Sequence, residues 1–324
     1  MDKQAEILYS AHALLGEGPV WHDLEQRLYW LDIEGLMLHR FDPANGIDES
    51  FPLPNQTGCL VPCRNGNLLL ATQTGIEEVR LTSRITESVT ENIAGNVAEN
   101  AIENAIEIIE TNTKIHPESQ IPENRYNDGK CSPEGRFWFG SLNKQRQQGR
   151  ASLYVLDGDG CRTAITGATN SNGLAWSPNG NTFYWIDTPT LRVDAFDYHS
   201  GEGKLSNRRT VIAFPNISTE NNSDNFGRPD GMTIDSDGML WIAHWLGGRI
   251  TRWNPVNGQL LETIRLPVSR VTSLTFGGSE LKTIFITTAS LGLTPEMQPL
   301  EPNAGGLFVY ESKIAGLPVS YYSS

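Results

Sequence analysis

Apolar and polar positions along the chain fall into a unit that repeats. Each copy opens with a small polar loop ending in Gly. A few apolar residues follow, then a short turn of Pro, Asn, Asp and Gly, then a run rich in Trp, Tyr, Phe and Ile. Four copies are clear, beginning at Glu17-Gly-Pro-Val-Trp, Asn127-Asp-Gly-Lys, Asn172-Gly-Leu-Ala-Trp and Asp230-Gly-Met-Thr. Two weaker ones begin at Gly58-Cys-Leu-Val and Val271-Thr-Ser-Leu. A strand, a Gly-containing turn and an aromatic strand make a hairpin. A third alternating segment follows the hairpin, as in Leu38-His-Arg-Phe-Asp42, Ser152-Leu-Tyr-Val-Leu156 and Arg249-Ile-Thr-Arg-Trp253. Strand, strand, strand and turn, recurring at roughly 40 to 60 residues, is the signature of propeller blades. Six copies predict an all-β, six-bladed β-propeller occupying residues 1–324 as a single domain.

Residues 86–112 break the pattern. Their Ala-Glu-Asn-Ala-Ile-Glu-Asn tandem puts Val97, Ala101, Ile102, Ala105, Ile106 and Ile109 on one helical face, and Ser88 with Glu91 has capping-box spacing. The reading is a short surface helix inserted between the second and third units. A tolerated insertion on the rim is favoured over a lid or dimer contact, because loops absorb insertions at small entropic cost.

Composition narrows the function classes. Of 324 residues 38% are apolar, enough for a sizeable core, and 31 Gly with 18 Pro suit a turn-rich fold. The formal charge of −13 argues against nucleic acid or an anionic membrane as partner. No basic-then-apolar leader and no apolar run of membrane-spanning length is visible, so a cytoplasmic protein is expected, monomeric or weakly oligomeric. Cys59, Cys63, Cys131 and Cys161 sit on unlike spacings without further Cys or His at zinc spacing, and are expected as free thiols.

The candidate chemistry lies at the start of each unit. Glu17, between two glycines before a strand, is poorly explained by packing. Asn127, Asn172 and Asp230 stand at equivalent points of their units. Taken singly, Asn-Gly and Asp-Gly are turn dipeptides more often than ligands. Here, however, the hairpin turns already exist further on, as Ser-Pro-Asn-Gly and Asp-Ser-Asp-Gly. Equivalent positions in different blades point to one end of the central channel, so two carboxylates and one or two amide oxygens converge there. Such hard oxygen donors suit Ca²⁺, Mg²⁺ or Mn²⁺, and Zn²⁺ less typically.

Five ordered blocks resemble the senescence-marker-protein/gluconolactonase (regucalcin-like) family: Gly16-Glu-Gly-Pro-Val-Trp21, Asn124-Arg-Tyr-Asn-Asp-Gly-Lys130, Ser171-Asn-Gly-Leu-Ala-Trp176, Val193-Asp-Ala-Phe-Asp-Tyr198 and Pro229-Asp-Gly-Met232. The likeness runs from Gly16 to Gly305-Gly-Leu-Phe308. It implies a six-bladed propeller with one divalent cation in the channel, Ca²⁺ first and Zn²⁺, Mg²⁺ or Mn²⁺ as alternatives, and hydrolysis of a small-molecule sugar lactone to the aldonic acid. It further implies Glu17, Asn172 and Asp230 as metal ligands, and Arg125 and Asn127 as substrate contacts. The bound cation would polarise the lactone carbonyl and acidify a water, whose proton Asp230 takes as the catalytic base. Arg125 and Asn127 would bind sugar hydroxyls or the developing oxyanion. Asp128 and Lys130 are candidates for a stiffening ion pair. His22, His39 and His244 are read as structural. Two departures from the family pattern are the 86–112 insertion and Ser141-Leu-Asn-Lys-Gln145, where acidic residues are usual. The rival from another class is a non-catalytic calcium-binding regulatory or scaffold propeller. A third possibility, an esterase for lipophilic substrates, predicts an apolar mouth, whereas Asn124, Arg125, Asn127, Asn143 and Lys144 predict a polar one.

Overall fold

The structure, a computed structural model, describes residues 3–92, 95–109, 115–215 and 226–323. Six small sheets, antiparallel apart from the two-residue strand Lys3–Gln4 that adds in parallel to Gln259–Arg265, form a six-bladed propeller. The innermost strands of blades one to six are Gly16–His22, Thr57–Pro62, Asn124–Cys131, Ser171–Trp176, Arg228–Ile234 and Val271–Gly277. They are the opening segments of the six repeats. The aromatic runs form the second strands, where Trp30, Trp138, Trp185, Trp241 and Phe285 are buried almost completely. Apolar residues from neighbouring sheets interleave into the core, as where Leu31 and Leu38 of blade one cluster with Leu60 and Leu70 of blade two. Burial of this kind is the main favourable term in folding.

Each blade has a fourth strand beyond the three legible in the repeat, outermost in every blade but the fifth, where Lys3–Gln4 adds outside it. Ile47–Pro52, Gly160–Ala168, Lys204–Ala213 and Gln259–Arg265 are mostly polar and half-exposed, so their hydrophobic signal is weak. The ring closes through the N-terminus: Glu6–Tyr9 is the outer strand of blade six, antiparallel to Leu307–Glu311. The edge strand that an open sheet would leave exposed is thereby covered.

The helix expected at 86–112 is not formed among the described residues of that span. Gly75–Asn92 and Gly95–Ile109 are two long antiparallel strands that carry blade two outward, paired from Glu78↔Ile109 to Asn92↔Gly95. Ser88 and Glu91, the supposed cap, lie within the first strand and pair with Glu99 and Asn96. Two physical reasons account for the difference. A four-residue spacing is even, so it fits one face of a strand as well as a helix. The partner segment is also rich in β-branched residues, which favour the extended state. Leu81 sits opposite Ile106, and both pack on the cluster between blades one and two.

The four cysteines are free, three of them buried. Among the described residues no helix is long and apolar enough to cross a membrane.

The feature that positions the site is a bulge shared by all six innermost strands. Pairing with the second strand slips between Glu17 and Val20, Thr57 and Cys59, Tyr126 and Gly129, Asn172 and Leu174, Pro229 and Met232, and Val271 and Ser273. A bulge kinks a strand and re-aims the neighbouring side chain. It also brings adjacent blades close. A Cβ on Gly58 would lie 2.3 Å from the Tyr126 carbonyl oxygen, and one on Gly231 would lie 2.2 Å from Ser273 Oγ. Gly58, Gly129, Gly173 and Gly231 therefore form a waist where only a bare backbone fits.

Beyond the waist, the C-terminal segment straps the other end of the channel. Ala315 accepts from Ser236 N at 2.8 Å, and Gly316 N donates to Leu281 O at 2.7 Å. Tyr322 N then reaches Pro62 O at 2.8 Å and Ser323 N reaches Gly135 O at 3.0 Å. Leu317–Ser320 border a mainly apolar cavity of about 280 Å³ there.

Candidate functional site

At the opposite end of the channel lies a cavity of about 350 Å³, a size that suits a small-molecule ligand. Glu17, Arg125, Asn127, Asn172 and Asp230 all line it. The residues expected from separate repeats are thus brought together. Glu17, Asn127, Asn172 and Asp230 project from the bulges of their strands, and Arg125 from the paired residue just ahead of one, none of them from a hairpin turn.

Asn172 is held on both sides. Its Nδ2 donates to Thr188 Oγ1 at 2.7 Å, and Thr188 Oγ1 in turn donates to the Pro229 carbonyl at 2.8 Å. Its Oδ1 accepts from Asn127 Nδ2 at 2.7 Å. These bonds fix the amide so that the oxygen, not the nitrogen, is left with a lone pair for a ligand. Thr188, buried and next to the strand carrying Asp230, was not anticipated. Its only sequence signal is its place after Asp187 at the end of the aromatic strand.

Glu17 and Asp230 are buried carboxylates. Burial, with Asp128 as the next contributor, pushes Glu17 up to about 8 against the weaker effects of Gly18 N–H and Arg125. Burial and then the charges of Glu17 and Asp128 push Asp230 well above the usual carboxylate range. Two acids in one enclosed site resist ionising together unless a cation balances them. Two carboxylates and an oriented amide oxygen form an all-oxygen donor set, and the mutual repulsion of the acids is what a divalent cation relieves. The residues fit such an ion.

Arg125 is enclosed, and burial lowers its pKa while Glu17 and Glu34 raise it. Its Nη1 donates to the Tyr126 carbonyl at 2.9 Å and to Asn127 Oδ1 at 2.8 Å. Its other N–H groups have no protein partner among the described residues and are free for a ligand. Asn127 plays a different part from its neighbour. Its Nδ2 is occupied by Ser171 O at 2.9 Å and Asn172 Oδ1 at 2.7 Å, and its Oδ1 by Arg125. It brackets Arg125 to Asn172, with one carbonyl lone pair to spare.

Asp128 and Lys130 feel each other's charge but form no direct ion pair among the described residues. Lys130 Nζ instead donates to the Met232 carbonyl at 2.9 Å, across to blade five. Its side chain borders the strapped cavity.

Of the expected mouth residues, Lys144 lines the cavity. Asn124 and Asn143 do not; they are buried and bonded to each other at 2.9 Å, and Asn143 Oδ1 accepts from Gln147 N. None of His22, His39 and His244 lines the cavity. His39 stacks on Trp30 at 3.8 Å and meets Asp48 at 2.5 Å, while His244 is buried between Phe214 and Phe226. Sequence reasoning also missed Glu34, Gln56 and Arg146, which border the cavity from segments carrying no repeat signature, Arg228, which begins the innermost strand of blade five two residues before Asp230, and Leu15, Leu142, Trp245 and Leu291, which give the cavity an apolar side.

Known proteins share this arrangement of sequence and fold. The profile of the SMP-30/Gluconolactonase/LRE-like region matches residues 15–290. The chain is 34% identical over 306 residues to the "Putative sugar lactone lactonase YvrE" of Bacillus subtilis, covering 94% of this chain and 93% of that protein. It is 34% identical over 308 residues to regucalcin of Danio rerio, covering 94% and 92%. The solved structure of a luciferin-regenerating enzyme superposes with a TM-score of 0.81 at 26% identity, over 99% of both chains. With the profile spanning five of the six blades entirely and relatives matched nearly end to end, the chain belongs to the SMP-30/gluconolactonase/LRE-like family.

Proposed function

We propose that the protein is a divalent-metal-dependent lactonase, a carboxylic-ester hydrolase that opens a sugar lactone of the gluconolactone type to its aldonic acid, with all six blades acting as one unit. The observation that carries the reading is the meeting of Glu17, Asn172 and Asp230 with the ligand-free N–H groups of Arg125 in one cavity. The names of relatives in the lactonase branch agree with it.

Glu17, Asn172 and Asp230 would hold the cation. When bound, it would polarise a carbonyl and lower the pKa of water, the two things lactone hydrolysis needs near neutrality. Asp230 takes the proton from the attacking water as the oxygen bonds to the carbonyl carbon. When the ring C–O bond breaks, the same carboxyl returns that proton to the departing alkoxide. Arg125 donates to the oxygen on which negative charge develops, and Asn127 keeps the guanidinium at its station. Thr188 holds the Asn172 amide with its oxygen toward the cavity.

A calcium-binding propeller without turnover is the second reading, and regucalcin relatives keep it in view. The free Arg125 N–H groups favour catalysis, because a scaffold has no use for unsatisfied donors beside an ion. The test is hydrolysis of glucono-1,5-lactone and a pentonolactone by chelator-stripped protein, with Ca²⁺, Mg²⁺, Mn²⁺ and Zn²⁺ added back singly. The lactonase reading expects activity to return with at least one cation and to be absent in Asp230→Ala. Cation binding without turnover of either lactone would favour the scaffold.

A further inference from the structure

The mouth of the cavity carries more positive charge than the reaction needs. Lys144, Arg146 and Arg228 line it beside Arg125. The side chains of these three have no hydrogen-bond or ion-pair partner among the described residues. The chain as a whole has 38 acidic residues against 25 basic ones. Many of its arginines are paired, as Arg40 is with Glu49, Arg136 with Asp157, Arg208 with Asp194 and Arg252 with Asp235, whereas these three unpartnered cations share one cavity.

The three cations are also presented from anchored backbone. Lys144 N donates to Glu123 O at 2.9 Å, and Arg146 N donates to Asn143 O at 2.8 Å. Arg146 has a φ of 55°, in the left-handed region that a side chain enters at some cost, so the turn holds it in an unfavoured conformation. Arg228 sits on the innermost strand of blade five, two residues before Asp230, at the edge where that strand pairs with Trp245. The Arg146 charge reaches both Asp230 and Arg125. Against these cations stands Glu34, which also accepts from Gln56 at 3.0 Å. With Glu17 and Asp230 committed to a cation, the remaining field of the mouth is strongly positive.

We propose that the substrate is an anionic lactone, one carrying a carboxylate or a phosphate on the end remote from the reacting carbonyl. Lys144, Arg146 and Arg228 are its specificity residues. The inference rests on the lactonase reading for the word lactone, and on the unpartnered cations for the word anionic. Arg125 addresses the carbonyl end in the floor of the cavity. The rim cations attract and orient the charged end.

The experiment compares kcat/KM for glucono-1,5-lactone, its 6-phosphate and a glucaro-lactone, whose free end is a carboxylate. One charged lactone should exceed the neutral one by about tenfold or more, the scale of electrostatic steering into a charged cleft. Which one does so distinguishes phosphate from carboxylate. The advantage should shrink between low and high salt, as the screening length falls from about 10 Å at 0.1 M to about 3 Å at 1 M. In the Lys144→Gln, Arg146→Gln, Arg228→Gln triple variant the charged-to-neutral ratio should collapse toward one. Arg228→Gln alone should lower it in part, and serves if the triple variant folds poorly. A neutral lactone preferred, or a ratio unchanged in folded variants, overturns the inference and leaves the lactonase reading standing. If no lactone is hydrolysed, calorimetry with glucitol 6-phosphate against glucitol decides: tighter, salt-sensitive binding of the phosphate upholds the anion site, and equal binding overturns it.

Discussion

Thr188→Val is an isosteric change that reaches the cation only through a neighbour. The Thr188 hydroxyl accepts from Asn172 Nδ2 at 2.7 Å and donates to the Pro229 carbonyl at 2.8 Å. Valine keeps the shape and removes both bonds. The Pro229 carbonyl is left buried without this partner, which costs about 1–3 kcal/mol, whereas Asn172 lines the cavity and its released amide can turn to water at a smaller loss. A total near 2 kcal/mol corresponds to a fall in Tm of roughly 3 °C for a chain of this length. The larger effect is on the donor set. Released from Thr188, the Asn172 amide can rotate its nitrogen toward the cavity, where it repels a cation. Loss of a group that orients a metal ligand lowers affinity by roughly 10- to 100-fold. Calorimetric titration of the chelator-stripped protein with Ca²⁺ and Mn²⁺ measures this, with thermal melts on the same samples. Thr188→Ser, which keeps the hydroxyl, should restore most of the affinity. Cation affinity within twofold of the parent in a folded Thr188→Val protein would refute the orienting role, whatever happened to Tm.

Three further predictions concern the frame around the site. His244 is held down to about 3 by burial, with Arg249 adding to the effect, so the unfolded chain binds its proton first as pH falls below about 6.5. Its neutral burial should cost about 2 kcal/mol of stability by pH 5, and His244→Asn should flatten the slope of urea-measured stability between pH 7 and 5. An unchanged slope would show that other groups govern acid sensitivity. Gly58→Ala places a Cβ 2.3 Å from the Tyr126 carbonyl oxygen and 2.6 Å from Asn127 N, both backbone atoms that cannot step aside. It should destabilise by about 1–3 kcal/mol or more, whereas Gly201→Ala, with nothing within 4 Å, should stay within about 0.5 kcal/mol on the same chemical denaturation curves. Deleting residues 315–324 removes the strap across the far cavity, and should lower Tm and raise binding of an apolar dye while leaving the Ca²⁺ affinity of the other end within a few-fold.

The blades were legible because their inner two strands are buried on both faces and carry the densest aromatic and β-branched runs. Glu17, Asn172 and Asp230 could be found because they recur in phase with those strands. What lay hidden follows from the same physics. The outermost strands are half-exposed and polar, so burial leaves little mark on them. Residues 86–112 have an even spacing that helix and strand share, and only pairing with the preceding segment decides between them. The bulges leave no signal beyond the Xaa-Gly pairs, which look like turns until six strands are seen to slip at matching points. Arg146 and Glu34 stand in segments without a repeat, Arg228 just ahead of the block that opens at Asp230, and all three reach the cavity only through closure of the ring. Asn127 was expected at the substrate from the family resemblance, but its bonds to Arg125, Ser171 and Asn172 are visible only in three dimensions.

The central claim is that Glu17, Asn172 and Asp230 form one cation site at the open end of the channel. Anomalous diffraction from crystals grown with Mn²⁺ tests it most directly. The account predicts one strong peak bonded to oxygens of all three side chains, lost in Asp230→Ala crystals grown the same way. A peak elsewhere on the propeller, or one between these residues that survives the loss of Asp230 unchanged, would contradict it.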